Sequence, residues 1–204
     1  MRLAAIDIGS NAARLLISEV IPQENNPVIL QKINLIRIPL RLGFDVFERT
    51  CISPEKETML LHTMQAYRHL LAAYDIPLSH LKAAATSAMR DASNAQEVLE
   101  KIKLKTGIDI EIISGDTEAT IIYENHVAET LNNDKAYLYI DVGGGSTELS
   151  LFEEGKLRAK RSFNIGTIRL LKGQIEESHW EAMKEFIKKE VRQAKGQVLA
   201  IGSG

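Results

Sequence analysis

Two aspartates stand near the ends of apolar runs and directly before glycine turns, a combination that suits binding of phosphate together with a cation. Asp141 lies in the run Leu138–Val142 and is followed by Gly143-Gly144-Gly145-Ser146-Thr147. Successive glycines weaken a strand, but they let the backbone turn tightly and bring N–H groups close to an anion, with Ser and Thr hydroxyls as further donors. An ordinary glycine-rich hairpin would show the same pattern, so this stretch alone leaves both interpretations open.

The same arrangement occurs near the N-terminus, where Asp7 precedes Gly9-Ser10-Asn11. The two aspartates are 134 positions apart (141 − 7). Two copies at the start of two similar αβ halves predict a duplicated domain whose turns face each other across a cleft. A chance match of so short a segment is the alternative interpretation.

The acids beside these turns would repel a polyanion unless a cation lies between them. Mg²⁺, or another divalent cation, is the natural choice because it prefers hard oxygen ligands. The predicted metal ligands are Asp141 and Glu148, with Asp7 as a further candidate. Alternatively, the carboxylates only accept hydrogen bonds from the turn backbone.

Glu118 is the candidate catalytic base, because it follows Gly115-Asp116 at the predicted start of a helix between the two halves. Acids also favour a first helical turn for purely electrostatic reasons, and Asp116 is interpreted as the N-cap. Arg90 presents a planar fork that suits phosphate, although a salt bridge to Asp91 is the competing reading. The basic residues Lys156, Arg158, Lys160 and Arg161 form either a solvated face or a track for a long polyphosphate.

The elements that must position these residues follow the order β-β-β-α-β-α, once before Thr117 and again from Leu138. A helix is expected to begin after Ser53 and Pro54. Further sequence signals predict a loop at Arg41–Phe47, a loop carrying Arg90, and a glycine turn at Gly202–Gly204. Capping boxes are predicted at Ser93/Gln96 and Ser178/Glu181.

Composition restricts the class of protein. The 204 residues are 45% hydrophobic and 25% charged, with a net charge of −2 and a sequence pI near 6.2, which predicts globular structure and no nucleic-acid partner. The single Cys51 has no partner for a disulfide, and the five histidines have no metal-binding spacing. No signal peptide or membrane-spanning run is recognised, so a cytoplasmic protein without a membrane partner is expected. A homodimer is left open.

Taken together, the motifs resemble the exopolyphosphatase/guanosine pentaphosphate phosphatase family of the actin, Hsp70 and sugar-kinase superfamily. The matching stretches follow the family's order along the whole chain and are Asp7–Asn11, Arg41–Gly43, Thr86–Ala92, Ser114–Ala119, Asp141–Glu148, Ile165–Leu170 and Ala200–Gly204. Two departures are Ala12, where the family usually has a hydroxyl, and Phe44–Phe47, which replaces an acidic loop.

The resemblance implies an α/β fold of duplicated actin-like ATPase (ribonuclease H-like) domains, with mixed five-stranded sheets flanked by helices and a cleft between them. The expected domains are residues 1–117 and the start of a second domain at 118–204, which ends at Gly202–Gly204 where family members continue.

The resemblance also implies Mg²⁺-dependent release of terminal phosphate from polyphosphate or guanosine pentaphosphate, with Glu118 orienting the attacking water. The expected phosphate-binding residues are Gly9, Ser10, Asn11, Arg90, Gly143, Gly144, Gly145, Ser146 and Thr147, with Arg41 and Arg169 as weaker candidates. An ATP-dependent small-molecule kinase and a non-catalytic nucleotide or polyphosphate sensor are the alternatives of other classes.

Overall fold

A computed structural model describes residues 1–23, 26–115, 117–118, 120–121, 135–154 and 156–203. The chain divides into two compact units, Met1–Ile112 and Ile113–Gly204, called here the first and the second unit. Each unit is built on its own β-sheet. No helix among the described residues has the length and apolar character needed to cross a membrane.

The first unit contains a five-stranded mixed sheet in the order β3-β2-β1-β4-β5. Strands β1, β2 and β3 pair antiparallel, while β4 runs parallel to β1 and to β5. The strands are β1 (Arg2–Ile8), β2 (Ala13–Gln23), β3 (Asn26–Ile38), β4 (Leu81–Ala85) and β5 (Glu111–Ile112).

Four helices accompany this sheet, namely α1 (Leu42–Arg49), α2 (Pro54–Ala73), α3 (Ser87–Asp91) and α4 (Ala95–Thr106). Inward-facing strand residues such as Ile8, Leu15 and Ile17 are fully buried, as are Leu60 and Tyr67 of α2. Helix α2 begins as predicted, with Pro54 at its first position and the Ser53 hydroxyl accepting a hydrogen bond from the Lys56 N–H.

The second unit contains a four-stranded sheet in the order β8-β7-β6-β9 within the described residues. Its strands are β6 (Ala136–Val142), β7 (Thr147–Glu153), β8 (Lys156–Phe163) and β9 (Val198–Ser203), and its labelled helices are α5 (Thr167–Leu171) and α6 (Glu177–Gln193). Strands β6, β7 and β8 pair antiparallel, and β9 runs parallel to β6. Phe186, Ile187 and Met183 of α6 pack against a core that contains Leu138, Leu149 and Leu151.

The two sheets repeat one topology. The order β3-β2-β1-β4 of the first unit, with its two antiparallel pairs and one parallel pair, recurs as β8-β7-β6-β9 in the second. The predicted fold class, a duplicated α/β architecture, is therefore confirmed, with one strand fewer in the described part of the second sheet.

Two segments predicted as loops are helical. Arg41–Phe47 was expected to be a loop, but α1 begins at Leu42, and Arg90 lies in α3 instead of a loop. Neither helix has a side-chain N-cap hydrogen bond, so the sequence signal on which capping rules depend is missing.

The predicted caps and the last turn also differ from the structure. Asn94 precedes α4 and hydrogen-bonds both backbone groups of Ile52, so Ser93 and Gln96 form no capping box. Helix α6 is capped by Glu176 and His179, two residues earlier than the predicted pair Ser178 and Glu181. At the C-terminal end, β9 continues through Ser203 because Gly202 and Ser203 pair with β6, so the expected glycine turn is strand up to that residue.

Candidate phosphate and cation site

The two glycine turns have the same backbone geometry. In the first unit the N–H of Gly9 donates to the carbonyl of Ala12 at 3.0 Å, and in the second the N–H of Gly143 donates to the carbonyl of Ser146 at 2.8 Å. The pairs Ile8↔Ala13 and Val142↔Thr147 close each hairpin, so both loops contain four residues. The sequence repeat is thus a repeat of structure, down to one loop hydrogen bond.

The carbonyl groups of the second loop, residues 143–146, are directed at helix α5. The N–H groups of Thr167 and Ile168 donate to the carbonyls of Gly143 and Gly144 at 3.0 and 2.9 Å. Arg169 Nε donates to the carbonyl of Gly145 at 2.8 Å. Helix α5 has no side-chain cap, so the loop carbonyls take that role. Among the described residues, the N–H groups of Gly144, Gly145 and Ser146 have no hydrogen-bond acceptor, so they are available to an anion.

The first loop, residues 9–12, is held in the same way by helix α1. The N–H groups of Arg41 and Gly43 donate to the carbonyls of Asn11 and Ser10, both at 2.8 Å. Arg41 adopts a left-handed backbone conformation with φ of 55°, which costs a non-glycine residue about 1 kcal/mol. This contact explains why α1 forms without a side-chain cap: the N–H groups of its N-cap residue Arg41 and of Gly43 donate to a loop that lies 30 and 33 residues earlier in the chain.

Gly166 makes the close approach between the second loop and α5 possible. A Cβ at this position would overlap the carbonyl oxygen of Gly144 and the peptide that joins Gly144 to Gly145. Any side chain would therefore push α5 away from the loop. The requirement for glycine here arises from backbone contact and needs no unusual torsion angle.

The loop side chains take different places. The Ser10 hydroxyl is buried and shares a 2.7 Å hydrogen bond with the Ser87 hydroxyl of α3, whereas Asn11 is exposed. Thr147 Oγ1 donates to the carbonyl of Ile165 at 2.5 Å, and Ser146 is buried. The Thr147 hydroxyl hydrogen is thus used inside the unit, which leaves the backbone N–H groups as the main anion donors of this loop.

Asp7 is paired with a basic neighbour. It lies opposite Arg14 in the β1–β2 ladder, and Arg14 Nη1 lies 3.1 Å from Asp7 Oδ2. Arg14 in turn lies opposite Arg37 of β3. The Asp7 carboxylate therefore has an arginine partner on the neighbouring strand, and its role as a further metal ligand stays a prediction.

The position in the second unit that corresponds to Arg14 carries the opposite charge. Asp141 lies opposite Glu148 in the β6–β7 ladder, and 148 is related to 14 by the same shift of 134 positions that relates 141 to 7. Directly opposed residues of neighbouring strands have their side chains on one face, with Cβ atoms about 4.5–5.5 Å apart. Glu148 is 3% exposed, so two like charges are held together with little water around one of them.

This carboxylate pair extends into a row of four residues across the sheet. Ser203 of β9 is in register with Asp141, and Ser162 of β8 is in register with Glu148. Ser203 Oγ donates to Asp141 Oδ1 at 2.5 Å, and Ser162 Oγ donates to Glu148 Oε1 at 2.9 Å. Ser203, Asp141, Glu148 and Ser162 are called here the carboxylate row.

The donor set of the carboxylate row fits Mg²⁺. Mg²⁺ is usually bound through one or two carboxylates and completes its shell with water and substrate phosphate oxygens. The part of the chain that the structure describes contains no cluster of three or more His, Cys, Asp or Glu residues that would form an all-protein cage. Opposed carboxylates destabilise a ladder unless a cation or a proton lies between them, so this pair is suited to an ion held partly by protein.

The helix that carries Glu118 begins beside the carboxylate row. Ser114 is its N-cap: Ser114 Oγ accepts from the N–H of Thr117 at 3.1 Å, and its carbonyl accepts from the N–H of Glu118 at 3.0 Å. Asp116, the predicted cap, lies outside the described residues. A Cβ on Gly115 would lie 2.7 Å from Ser162 Cβ and 3.8 Å from Glu148 Oε1, so the first helical residue must be small.

The predicted basic track is mostly engaged within the second unit. Arg158 pairs with Glu153 at 3.1 Å, Lys160 Nζ donates to Thr120 Oγ1 at 2.8 Å, and the Arg161 guanidinium lies 5.1 Å from the ring centre of Phe163. Lys160 thereby holds the helix of Glu118 from strand β8. A role for these side chains in binding polyphosphate stays a prediction, as does the role of Arg90 in α3.

Among the described residues, two surface grooves of 330 and 410 Å³ lie along α6, and a third of 480 Å³ lies along α2. None of the three is lined by a candidate site residue. The candidate site is instead assembled from backbone donors of the second loop and the carboxylate row, which crosses the four strands of the second sheet next to that loop.

The sequence did not indicate that Ser162 and Ser203 contact the two carboxylates, or that Arg14 and Glu148 occupy equivalent positions with opposite charge. Arg14 could have been found by counting outward from the four-residue loop, because the hairpin fixes 7↔14 and 141↔148. Ser162 could not, since the β7–β8 register is interrupted between Leu151 and Phe152. Ser203 depends on a parallel pairing with a strand more than fifty residues away, and no local pattern fixes that register.

Comparison with known proteins identifies the family of this chain. Residues 20–203 match the family model described as the Ppx/GppA phosphatase family. The chain is 34% identical over 168 residues to a bifunctional 3-dehydroquinate synthase/phosphatase of Fusobacterium nucleatum, a match that covers 82% of this chain and 25% of that protein. It is 29% identical over 204 residues to a guanosine-5'-triphosphate,3'-diphosphate pyrophosphatase of Vibrio vulnificus, covering 98% of this chain and 39% of that protein.

Solved structures show the same fold. An exopolyphosphatase from Cytophaga hutchinsonii matches with a TM-score of 0.79 and 26% identity, covering 98% of this chain and 66% of that one. The Aquifex aeolicus member of the Ppx/GppA family matches with a TM-score of 0.73 and 29% identity, covering 100% of this chain and 66% of that one. The chain thus spans a quarter to two fifths of the two curated relatives and two thirds of these solved chains.

Proposed function

Because the chain belongs to the Ppx/GppA phosphatase family, we propose that the full-length protein hydrolyses a terminal phosphoanhydride bond with the help of Mg²⁺ or another divalent cation. One observation carries the proposal. The second unit combines a glycine loop with available N–H donors and, directly before that loop, the opposed carboxylates Asp141 and Glu148. An anion and a cation can therefore be held side by side, as hydrolysis of a charged anhydride requires.

Each group has a distinct role in this proposal. The N–H groups of Gly144, Gly145 and Ser146 bind the terminal phosphate and orient it. Asp141 and Glu148 would hold the cation, which would neutralise phosphate charge and stabilise the leaving oxygen. Glu118 accepts a proton from the attacking water and aligns it with the phosphorus atom. Ser10, Asn11, Gly9 and Arg90 of the first unit are proposed as further phosphate contacts, and Thr147 and Gly143 maintain the second loop.

The leaving group is polyphosphate or the guanosine tetraphosphate part of guanosine pentaphosphate. The Cytophaga neighbour, an exopolyphosphatase, supports the first, and the Vibrio relative, a guanosine-5'-triphosphate,3'-diphosphate pyrophosphatase, supports the second. Both substrates present the same terminal anhydride to the same donors. We propose polyphosphate as the first substrate to assay, with the pentaphosphate as the close alternative.

The test is phosphate release by the full-length protein from polyphosphate and from guanosine pentaphosphate, each with Mg²⁺ and with excess chelator. The proposal expects release from at least one substrate, lost on chelation. No release from either substrate would refute it. Formation of ADP from ATP with an added sugar or acyl acceptor would indicate a kinase, and tight polyphosphate binding without turnover would indicate a sensor.

A further inference from the structure

We propose that Ser162 and Ser203 are positioning residues that fix the two cation-binding carboxylates of the carboxylate row. This inference rests on the proposed function only in taking Asp141 and Glu148 as the cation ligands. The four side chains are in register on neighbouring strands, in the order Ser203, Asp141, Glu148 and Ser162. Each serine flanks the pair on its outer side.

The hydrogen bonds determine which oxygen atoms remain for a cation. Ser203 Oγ donates to Asp141 Oδ1 and Ser162 Oγ donates to Glu148 Oε1. A carboxylate has two oxygens with about four lone-pair sites, so after it accepts one hydrogen bond most of these sites remain available to a cation. Each hydroxyl donor therefore restrains the orientation of its carboxylate, and the second carboxylate oxygen stays available to a cation.

Rotamer control matters here because the two acids repel each other. Like charges directly opposite in a ladder are driven apart, which would spread the ligands before a cation arrives. Outer partners that orient ligating groups typically contribute 10- to 100-fold to metal affinity. A serine on each side anchors each carboxylate against that repulsion.

Ser162 has a second contact that connects the cation ligands to the proposed base. Its Cβ lies directly against Gly115, the first residue of the helix that carries Glu118. One side chain on β8 therefore touches both the carboxylate of Glu148 and the start of this helix. A displacement of the Glu148 side chain would therefore shift Ser162, and with it the start of the helix that carries Glu118.

The first unit provides an internal comparison. Its corresponding row contains Arg37, Arg14, Asp7 and Ala84, in place of Ser162, Glu148, Asp141 and Ser203. Where the pair of acids is replaced by an ion pair between Asp7 and Arg14, both flanking serines are absent. The serine donors therefore accompany the acidic pair, as expected if they serve it.

The experiment measures Mn²⁺ binding to the full-length protein by electron paramagnetic resonance of the free ion. We expect Ser162→Ala and Ser203→Ala each to weaken binding by about 10- to 100-fold. Ser203→Thr, which keeps the hydroxyl, is expected to restore affinity to near the wild-type value. Ser150→Ala is the matched control: Ser150 is a buried serine two residues from Glu148 on the same face of β7, and its loss is expected to leave Mn²⁺ affinity unchanged.

A kinetic readout separates positioning from general damage. For both alanine variants, the Mg²⁺ concentration that gives half-maximal activity should rise by a similar factor, while KM for polyphosphate at saturating Mg²⁺ stays at the wild-type value. Wild-type Mn²⁺ affinity in both variants, no Mn²⁺ binding by the wild type, or an equal loss in Ser150→Ala would overturn the inference. Binding that follows the expected pattern without phosphate release would refute the proposed function and support this inference.

Discussion

The absence of a side chain at Gly166 allows helix α5 to approach the second loop closely. The Cα of Gly166 lies so close to the Gly144 carbonyl that the N–H groups of Thr167 and Ile168 can reach the loop. We expect Gly166→Ala to reduce the free energy of unfolding by about 1–3 kcal/mol, because a well-packed site cannot accept a methyl group without moving its neighbours. Phosphate release should fall at least about tenfold, since the loop donors would shift.

Chemical denaturation and phosphate-release assays of the full-length protein check this prediction. Gly202→Ala is the matched control, because a Cβ there would lie within 4 Å of no atom of the described residues. The control should keep wild-type stability and activity. A Gly166→Ala protein as stable and active as the control would show that the close approach has no such role.

Residue types also separate the two copies of the repeat. Arg14 and Glu148 occupy equivalent ladder positions and give their aspartates opposite neighbours. Asp7 forms an ion pair, while Asp141 shares its face with a second acid. The two copies of the hairpin therefore differ in charge: the first contains an ion pair at these positions and the second contains two acids.

Among the secondary-structure elements, helix α2 is linked to the sheet of the first unit by hydrogen bonds of the Tyr67 hydroxyl. The hydroxyl donates to the carbonyl of Ala13 at 3.0 Å and lies 3.4 Å from that of Ile36. Burial, and secondarily the charge of Asp7, raises the pKa of Tyr67 to about 12 from 10.0. We expect Tyr67→Phe to lower the free energy of unfolding by about 1–3 kcal/mol at neutral pH, because buried acceptors lose their donor.

The same group predicts a pH dependence above pH 10. The unfolded tyrosine ionises near pH 10 and the folded one near pH 12, so the folded state holds the proton more tightly and stability falls between these values. Below pH 10 Tyr67 is protonated in both states, so it adds no pH dependence to the free energy of unfolding. The advantage of wild type over Tyr67→Phe should therefore shrink by about 1 kcal/mol between pH 9.5 and 11. Urea titrations of both proteins measure this difference, and parallel pH profiles would contradict it.

Most strands, and helix α2, follow from local patterns. Alternating or continuous apolar runs, together with Ser53 and Pro54 at the start of α2, are sufficient for those elements. Helices α1 and α6 show why other elements could not be predicted from local sequence patterns. The first is capped by carbonyls from another hairpin, and the second by Glu176 with His179, residue types that capping rules do not favour.

The candidate site divides in the same way. Both glycine turns, their aspartates, Glu148 and Glu118 are visible in the sequence because their chemistry is concentrated in short motifs. The serine partners of Asp141 and Glu148 are contributed by strands β9 and β8. Strand register beyond a hairpin depends on packing of the whole sheet, which no short motif encodes.

At the scale of the whole molecule, each unit has its own sheet and its own core. The first unit closes a five-stranded sheet with α1 to α4 and buries residues such as Leu60, Met64 and Ile102. We expect residues 1–112 expressed alone to fold with a cooperative thermal transition, because a chain of this length with one continuous core is within the usual range for domains. Circular dichroism melting and dispersed amide NMR signals check this. A non-cooperative melt with collapsed amide signals would contradict it.

The most direct test of the central claim is single-turnover hydrolysis of polyphosphate by the full-length protein and its Glu118→Gln variant at saturating Mg²⁺. Glutamine keeps the size of the side chain and its helix position but cannot accept the proton of the attacking water. We expect the variant to bind polyphosphate with wild-type affinity and to release phosphate at least about 100-fold more slowly, the range expected for loss of general-base catalysis. Hydrolysis by Glu118→Gln at the wild-type rate would contradict it.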